Sequence, residues 1–142
     1  MAEFLINHGA AVTSQAHLNG MTPLHVASRA PTAEILIARG ADVNARTTSR
    51  EVPLHYAATD NHVGVARVLL DHDADPDAVG VCGWTPLHMA TVRKNRAVVK
   101  LLLARGARSD VKDDTGRTPL EWAVFQGNSA IATILRDHDA KQ

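Results

Sequence analysis

Residues 83–92 read GWTPLHMATV. His88 stands three places after Thr85, with Pro86 and Leu87 between them. What that histidine does decides what kind of molecule this is: a catalytic base, a metal ligand or a piece of scaffold. An enzyme needs such a group once. Here the block returns as GMTPLHVAS at 20–28, REVPLHYAA at 50–58 and GRTPLEWAV at 116–124. Thr22, Val52, Thr85 and Thr118 follow at spacings of 30, 33 and 33 residues. A second landmark keeps step: INHGAAV (6–12), IARGADV (37–43), LDHDADP (70–76), LARGARS (103–109) and LRDHDAK (135–141). A module near 33 residues long, recurring in register, dictates the architecture.

Each module reads as two helices. Thr85 before Pro-Leu-His is a helix N-cap, its hydroxyl accepting from a free first-turn N–H. Pro86 then occupies the first helical position, where its missing N–H costs nothing. Apolar residues follow at helical spacing, Leu87 with Ala90 and Thr91, then Val98, Val99, Leu101 and Leu102 in a second helix. Gly9, Gly40 and Gly106 terminate the second helices by taking the left-handed conformation. His8, Arg39, His72, Arg105 and His138 stand just before the stops, each a basic residue at the negative end of a helix dipole. Ala27, Ala57, Ala58, Ala90 and Ala123 are small enough for neighbouring first helices to approach closely. No module buries its own apolar face, so stability comes from stacking.

A period near 33 carrying T-P-L-H-x-A resembles the ankyrin repeat over nearly the whole chain. The expected fold is all-α: an ankyrin-repeat solenoid of stacked helix-turn-helix units joined by β-hairpin-like loops. The register divides one domain, 1–142, into a leading half repeat (1–15), three repeats (16–46, 47–79, 80–112) and a C-terminal capping repeat (113–142). In that family the TPLH histidine is a structural hydrogen-bonding residue, which the resemblance implies for His25, His55 and His88. The register agrees: this is the capping-box position, where a side chain reaches back to the N-cap. In the fourth copy Thr118 and Glu121 form a literal T-x-x-E box. Thr22, His25, His55, Thr85, His88, Thr118 and Glu121 are therefore read as structural caps. The second copy departs from the pattern at Arg50, Val52 and Asp73, and is expected to be the weakest internal repeat.

Composition sets the remaining bounds. The 142 residues are 45% apolar and 21% charged with zero formal net charge, which excludes the signature of disorder. Neutral balance gives no global pull toward nucleic acid or an anionic membrane. No apolar run approaches the ~20 residues a bilayer requires. The start, MAEFLINHGA, lacks a secretory signal, and the single cysteine, Cys82, makes no internal disulfide, so an intracellular home, cytoplasmic or nuclear, is expected. DHDADPDA (71–78) resembles a calcium loop, but counted from Asp73 the required glycine and glutamate are Ala78 and Trp84. Of eight histidines, three are caps and three stand at helix ends, which leaves His17 and His62 and makes zinc a poor reading. No Ser/His/Asp set, P-loop or dinucleotide glycine pattern is present. No enzyme, catalytic residue, metal or cofactor is expected.

The expected partner is another protein, and the resemblance places it on hairpin tips and the inner face of the first helices. By register that surface takes in Met21, Arg29, Glu51, Thr59, Asp60, Cys82, Trp84, Val92, Arg93, Arg117, Phe125 and Gln126, with Leu18, Asn19, Thr48, Ser49, Val81, Asp114 and Thr115 beside them. Trp84, Arg93, Arg117 and Phe125 are its expected centre, since aromatics and arginines anchor interfaces. Trp122 shares a column with Val26, Tyr56 and Met89 and is read as packing. Charge is uneven: Glu51 to Asp77 holds six acids and one base, Arg93 to Arg117 eight bases and three acids. Such polarity orients a partner. The sequence opens inside a second helix, with no first helix over Phe4, Leu5 and Ile6. That leaves upstream residues, or self-association through this edge as an architectural alternative to partner binding. Polar Thr133 and Asp137 suit the last copy to capping the stack.

Overall fold

The computed structural model describes residues 19–141. The leading half repeat, with His8, Gly9 and Phe4–Ile6, lies outside the described residues, as do His17 and Leu18. Seven α-helices follow a 3-10 turn at Pro23–Val26, and no strand occurs among the described residues. They are α1 (Ala30–Ala38), α2 (Pro53–Asp60), α3 (Val63–Asp71), α4 (Pro86–Val92), α5 (Arg96–Ala104), α6 (Pro119–Phe125) and α7 (Ser129–Ala140).

The first helices (the 3-10 turn, α2, α4, α6) pack on one another in order, and so do the second helices (α1, α3, α5, α7). Each first helix also packs on the second helix of its own module. The core is a set of columns running through the stack. Leu36, Leu69, Leu102 and Leu135, each 33 residues after the last, are all fully buried. Leu24, Leu54 and Leu87 form the matching column in the first helices. Fully burying one such side chain is worth about 1.5–3 kcal/mol. Ala57, Ala58, Ala90 and Ala123 are buried where the first helices meet.

Helix ends repeat as faithfully. Proline opens every first helix. Second helices stop when residue 40, 73 or 106 turns left-handed (φ 98°, 69°, 88°). The N–H groups of Ala41, Ala74 and Ala107 then close back on the carbonyls of Leu36, Leu69 and Leu102 at 2.9–3.0 Å. Asp73 thus does the work of glycine. First helices end through left-handed Asn61, Lys94 and Gly127.

Three expectations need correction. The first copy, three residues short between its helices, has no room for a full first helix: PLHV forms a single 3-10 turn and Ala27 and Arg29 are extended. Arg29 consequently caps α1 and does not lie on a first helix. In the last copy His138 does not precede a stop; α7 continues to Ala140 and caps at Lys141, because Asp139 stays helical with no buried alanine behind it. The T-x-x-E box is half formed. The Thr118 hydroxyl accepts from the Glu121 N–H (3.2 Å), but the Glu121 carboxylate takes that hydroxyl (3.3 Å) and does not reach the Thr118 N–H.

Candidate functional site

Three hairpins project from the stack, at 47–51, 80–84 and 113–117, each closed by an N–H of its first residue donated to the carbonyl of its last (3.0, 2.9 and 2.9 Å). The penultimate residue is left-handed in all of them, Arg50, Gly83 and Gly116. Neighbouring hairpins interlock. Thr48 N–H donates to the Asn19 carbonyl (2.8 Å), Asp114 N–H to that of Cys82 (3.0 Å), and the Arg46 guanidinium to the carbonyls of Arg50 and Val79 (2.9 and 3.1 Å).

The histidines tie helix caps to these hairpins. His25 Nδ1 accepts from the Thr22 N–H (3.0 Å), His55 Nδ1 from the Val52 N–H (3.0 Å) and His88 Nδ1 from the Thr85 N–H (3.2 Å). Each Nε2 donates onward to the next hairpin: His25 to the Glu51 carbonyl (3.0 Å), His55 to Trp84 (2.9 Å), His88 to Arg117 (3.0 Å). That pattern assigns the neutral Nε2–H tautomer in all three. Burial favours it, holding His25 and His88 below the usual imidazole range and pushing His55 down to about 4. The reach back follows from the register; the strut to the next layer does not, since it needs the stacking geometry. Among the described residues no three His, Cys, Asp or Glu side chains gather as a metal site. The acidic run at 71–78 is a ladder between loops: Asn44 Oδ1 accepts from the Asp75 N–H (2.9 Å) and Asp77 Oδ1 from the Arg108 N–H (2.8 Å).

Asp113 organises the fourth hairpin. Its Oδ1 accepts from the N–H groups of Thr115 (2.8 Å) and Arg117 (3.0 Å) and from the Thr115 hydroxyl (2.6 Å). Its Oδ2 accepts both indole N–H groups, from Trp84 (2.9 Å) and Trp122 (2.6 Å). Burial alone would push this carboxyl up, yet the donated hydrogen bonds outweigh it and hold Asp113 below the ordinary carboxylate range. The rings line up behind it. Trp84 lies parallel to His88 (6.4 Å) and edge-on to Trp122 (5.6 Å), which meets Phe125 edge-on (5.8 Å). The Arg117 guanidinium sits over Trp122 (5.0 Å) and Phe125 (4.5 Å).

Beside this row, a groove of about 240 Å³ is lined by Glu51, His55, Tyr56, Thr59, Trp84, Met89 and Arg93. Four of the sequence-derived residues, Glu51, Thr59, Trp84 and Arg93, meet there. Arg117 and Phe125 belong to the adjoining ring row. Cys82 is exposed at the tip of its hairpin, Asp60 at the end of α2, and Met21 is half-buried beside the Thr22 cap. Val92 and Gln126 are tied to each other, the Gln126 amide donating to the Val92 carbonyl (3.2 Å). Trp84 is half-buried and pinned through its indole, so it is part of the wall and not a free anchor. The column that Trp122 shares is mixed: Met89 is buried and Trp122 packs between Trp84 and Phe125, but the column is not all core. Val26 is 56% exposed and Tyr56 and Trp122 are half-buried, because that column lies one helical turn before Thr59, Val92 and Phe125 and shares their face.

Two family profiles match the chain: one described as ankyrin repeat at residues 19–48, and one described as ankyrin repeats (many copies) at residues 54–103. The chain belongs to the ankyrin-repeat family. Comparison with curated proteins finds no match. Ankyrin repeats are generally protein–protein interaction modules. No helix among the described residues is long and apolar enough to cross a membrane.

Proposed function

We propose that the chain binds another protein along the hairpins and inner helix faces, as part of a scaffold, adaptor or regulatory protein. The observation that carries this reading is the ring row ending in Phe125, which is 67% exposed with the Arg117 guanidinium stacked on it, beside the groove between Glu51 and Arg93. An exposed aromatic supported by a cation and backed by a rigid wall supplies apolar contact at low entropic cost. Tyr56, Thr59 and Arg93 provide polar partners along the groove, and Met21, Asp60 and Cys82 its margin.

A photo-crosslinking residue in place of Phe125 or Arg93 tests this in cells, against the same residue at Arg39, just past the end of α1. The expected result is a discrete protein adduct at 125 and 93 and none at 39. The reading fails if adducts are equal at all three positions or absent from 125 and 93.

A further inference from the structure

Glu51 is a carboxylate without a counter-ion. It closes the second hairpin, half-buried, and makes no ion pair among the described residues. Its register position holds Met21 in the layer before and Trp84 in the layer after, so no cation stands beside it in the column. Arg46 and Arg50, close to it in the chain, do not pair with it; the Arg46 guanidinium is donated to the carbonyls of Arg50 and Val79. Arg117, two layers on, lies over Trp122 and Phe125. A Cβ on Gly80 would meet Glu51 Cγ at 3.0 Å, so the stem of the acid is laid against the third hairpin. Its carboxylate meets the Tyr56 hydroxyl, and burial raises it above the ordinary carboxylate range.

We infer that Glu51, Tyr56 and Trp84 form a seat for one lysine or arginine side chain of the partner protein, at the hairpin end of the groove. The inference rests on the groove being part of the partner-binding face, and adds what that face selects. At about 240 Å³ the groove is smaller than the roughly 300–1,000 Å³ of a small-molecule site, and its size suits one protruding side chain. A basic side chain lays its apolar stem on Met89 and the two rings and brings its charge to Glu51. A cation near Tyr56 and Trp84 gains further attraction from their π-systems.

Other occupants leave Glu51 worse off. An apolar side chain would bury the carboxylate further with nothing to answer its charge. An acidic side chain or a phosphate meets like charge. His55 lines the same groove, but it is neutral and its Nε2 is spent on the Trp84 carbonyl, so it does not compete for the acid. Arg93 lines the groove at the far end. It caps α4, whereas Glu51 and Trp84 precede first helices, and the seven residues of α4 separate the two ends by about 10 Å. Asp60, the register neighbour of Arg93, does not line the groove. A basic side chain is therefore favoured at the hairpin end and repelled at the other.

The test is an NMR titration of the isotope-labelled full chain with capped peptides Gly-Ser-X-Ser-Gly, X being lysine, arginine, norleucine or glutamate. Binding is read at the Trp84 indole and the Glu51 amide. The lysine and arginine peptides are expected to bind about fivefold more tightly than the norleucine peptide, the size of one partly screened ion pair. Glu51→Gln keeps the length and can still meet the Tyr56 hydroxyl; it is expected to bring lysine to within about twofold of norleucine. Asp60→Asn, removing an exposed acid near the far end, is expected to change lysine binding by less than about twofold. Unmoved amide signals elsewhere in Glu51→Gln show that the fold is retained. The inference is overturned if norleucine or glutamate matches lysine, or if the preference survives Glu51→Gln. It is also overturned if Asp60→Asn weakens lysine binding as much as Glu51→Gln does. A crosslinked protein at 93 and 125 without a lysine preference sinks this inference alone; a lysine preference without those adducts sinks only the broader reading.

Discussion

The hairpins at 80–84 and 113–117 close with the same backbone bond and each receives a histidine strut, but only the fourth adds an acceptor of its own. In the fourth, Asp113 fills the first position and gathers five donors from within its hairpin and from two tryptophans. In the third that position is Gly80, with nothing to organise the turn. Residues 81–83 coil into a 3-10 turn and Cys82 and Gly83 are both left-handed (φ 61° and 73°). This hairpin is held only from outside, by His55 on the Trp84 carbonyl, by the Asp114 N–H on Cys82 and by the Trp84 indole on Asp113. One backbone shape can thus be fixed by an internal acceptor or by neighbouring layers, and the two solutions should fail differently.

The largest effect is expected at Asp113. Asp113→Ala strands two indole N–H groups and two backbone N–H groups around a vacated site, for a loss of about 3–5 kcal/mol in denaturant unfolding. A loss below about 1 kcal/mol would mean that water replaces the carboxylate without penalty and that the hairpins do not differ as argued. Acid separates them next. The buried imidazoles have folded-state values below the unfolded 6.5, so the unfolded chain takes up protons first. Their stabilisation is complete above about pH 6.5 and is lost as pH falls through the folded values, about 4 for His55. Across that window His55 alone should cost about 3 kcal/mol, and His55→Gln should flatten the slope. Asp113, held below the carboxylate range, has its contribution in full above about pH 4 and loses it only below. His88 weakens on Arg117 as His55 does on Trp84, but the four bonds to Asp113 from within 113–117 and from Trp122 remain. Amide exchange at pH 5 should therefore open 80–84 first; simultaneous opening would show that Asp113 adds nothing to its own hairpin.

The sequence discloses whatever depends on spacing. The 33-residue columns of leucine, the capping threonines and the stop at Asp73 are one-dimensional patterns, and each maps to a repeated backbone feature. What sequence does not disclose depends on which neighbour a side chain meets. Trp84 looked like a free loop aromatic because nothing local marks Asp113, 29 residues on, as the acceptor of its indole. The column that Trp122 shares with Val26, Tyr56 and Met89 holds a buried Met89 and a solvent-facing Val26, a difference that spacing alone does not reveal. Arg29 was misplaced because counting by register ignores a three-residue deletion that leaves no room for a helix.

Smaller effects come from glycine. A Cβ on Gly83 would meet the Asp114 backbone nitrogen at 2.8 Å, while one on Gly116, in the same column, would meet nothing within 4 Å. Both are left-handed, so Gly116→Ala should cost about 1 kcal/mol for conformation alone. Gly83→Ala should cost about 2–4 kcal/mol, adding a clash between interlocked hairpins. Equal costs in parallel urea titrations would show that the third hairpin does not rest on the fourth.

The smallest expected effect lies under the third hairpin, at the cap that orients its strut. Thr22 and Thr85 place a hydroxyl 2.9 and 3.0 Å from the histidine Nδ1. Val52, fully buried in the same column, leaves His55 Nδ1 with the backbone N–H alone. Val52→Thr keeps the shape and gives the hydroxyl His55 Nδ1 as a ready partner, while the His55 N–H, now on the Val52 carbonyl (3.0 Å), would have to turn to the hydroxyl to complete the cap. Stability should rise by about 0.5–1 kcal/mol, read as a higher urea midpoint at unchanged slope. The gain should vanish in a His55→Gln background if the hydroxyl acts through the imidazole, and persist if it acts only as a helix cap. That double-mutant cycle decides whether cap and strut are one device or two.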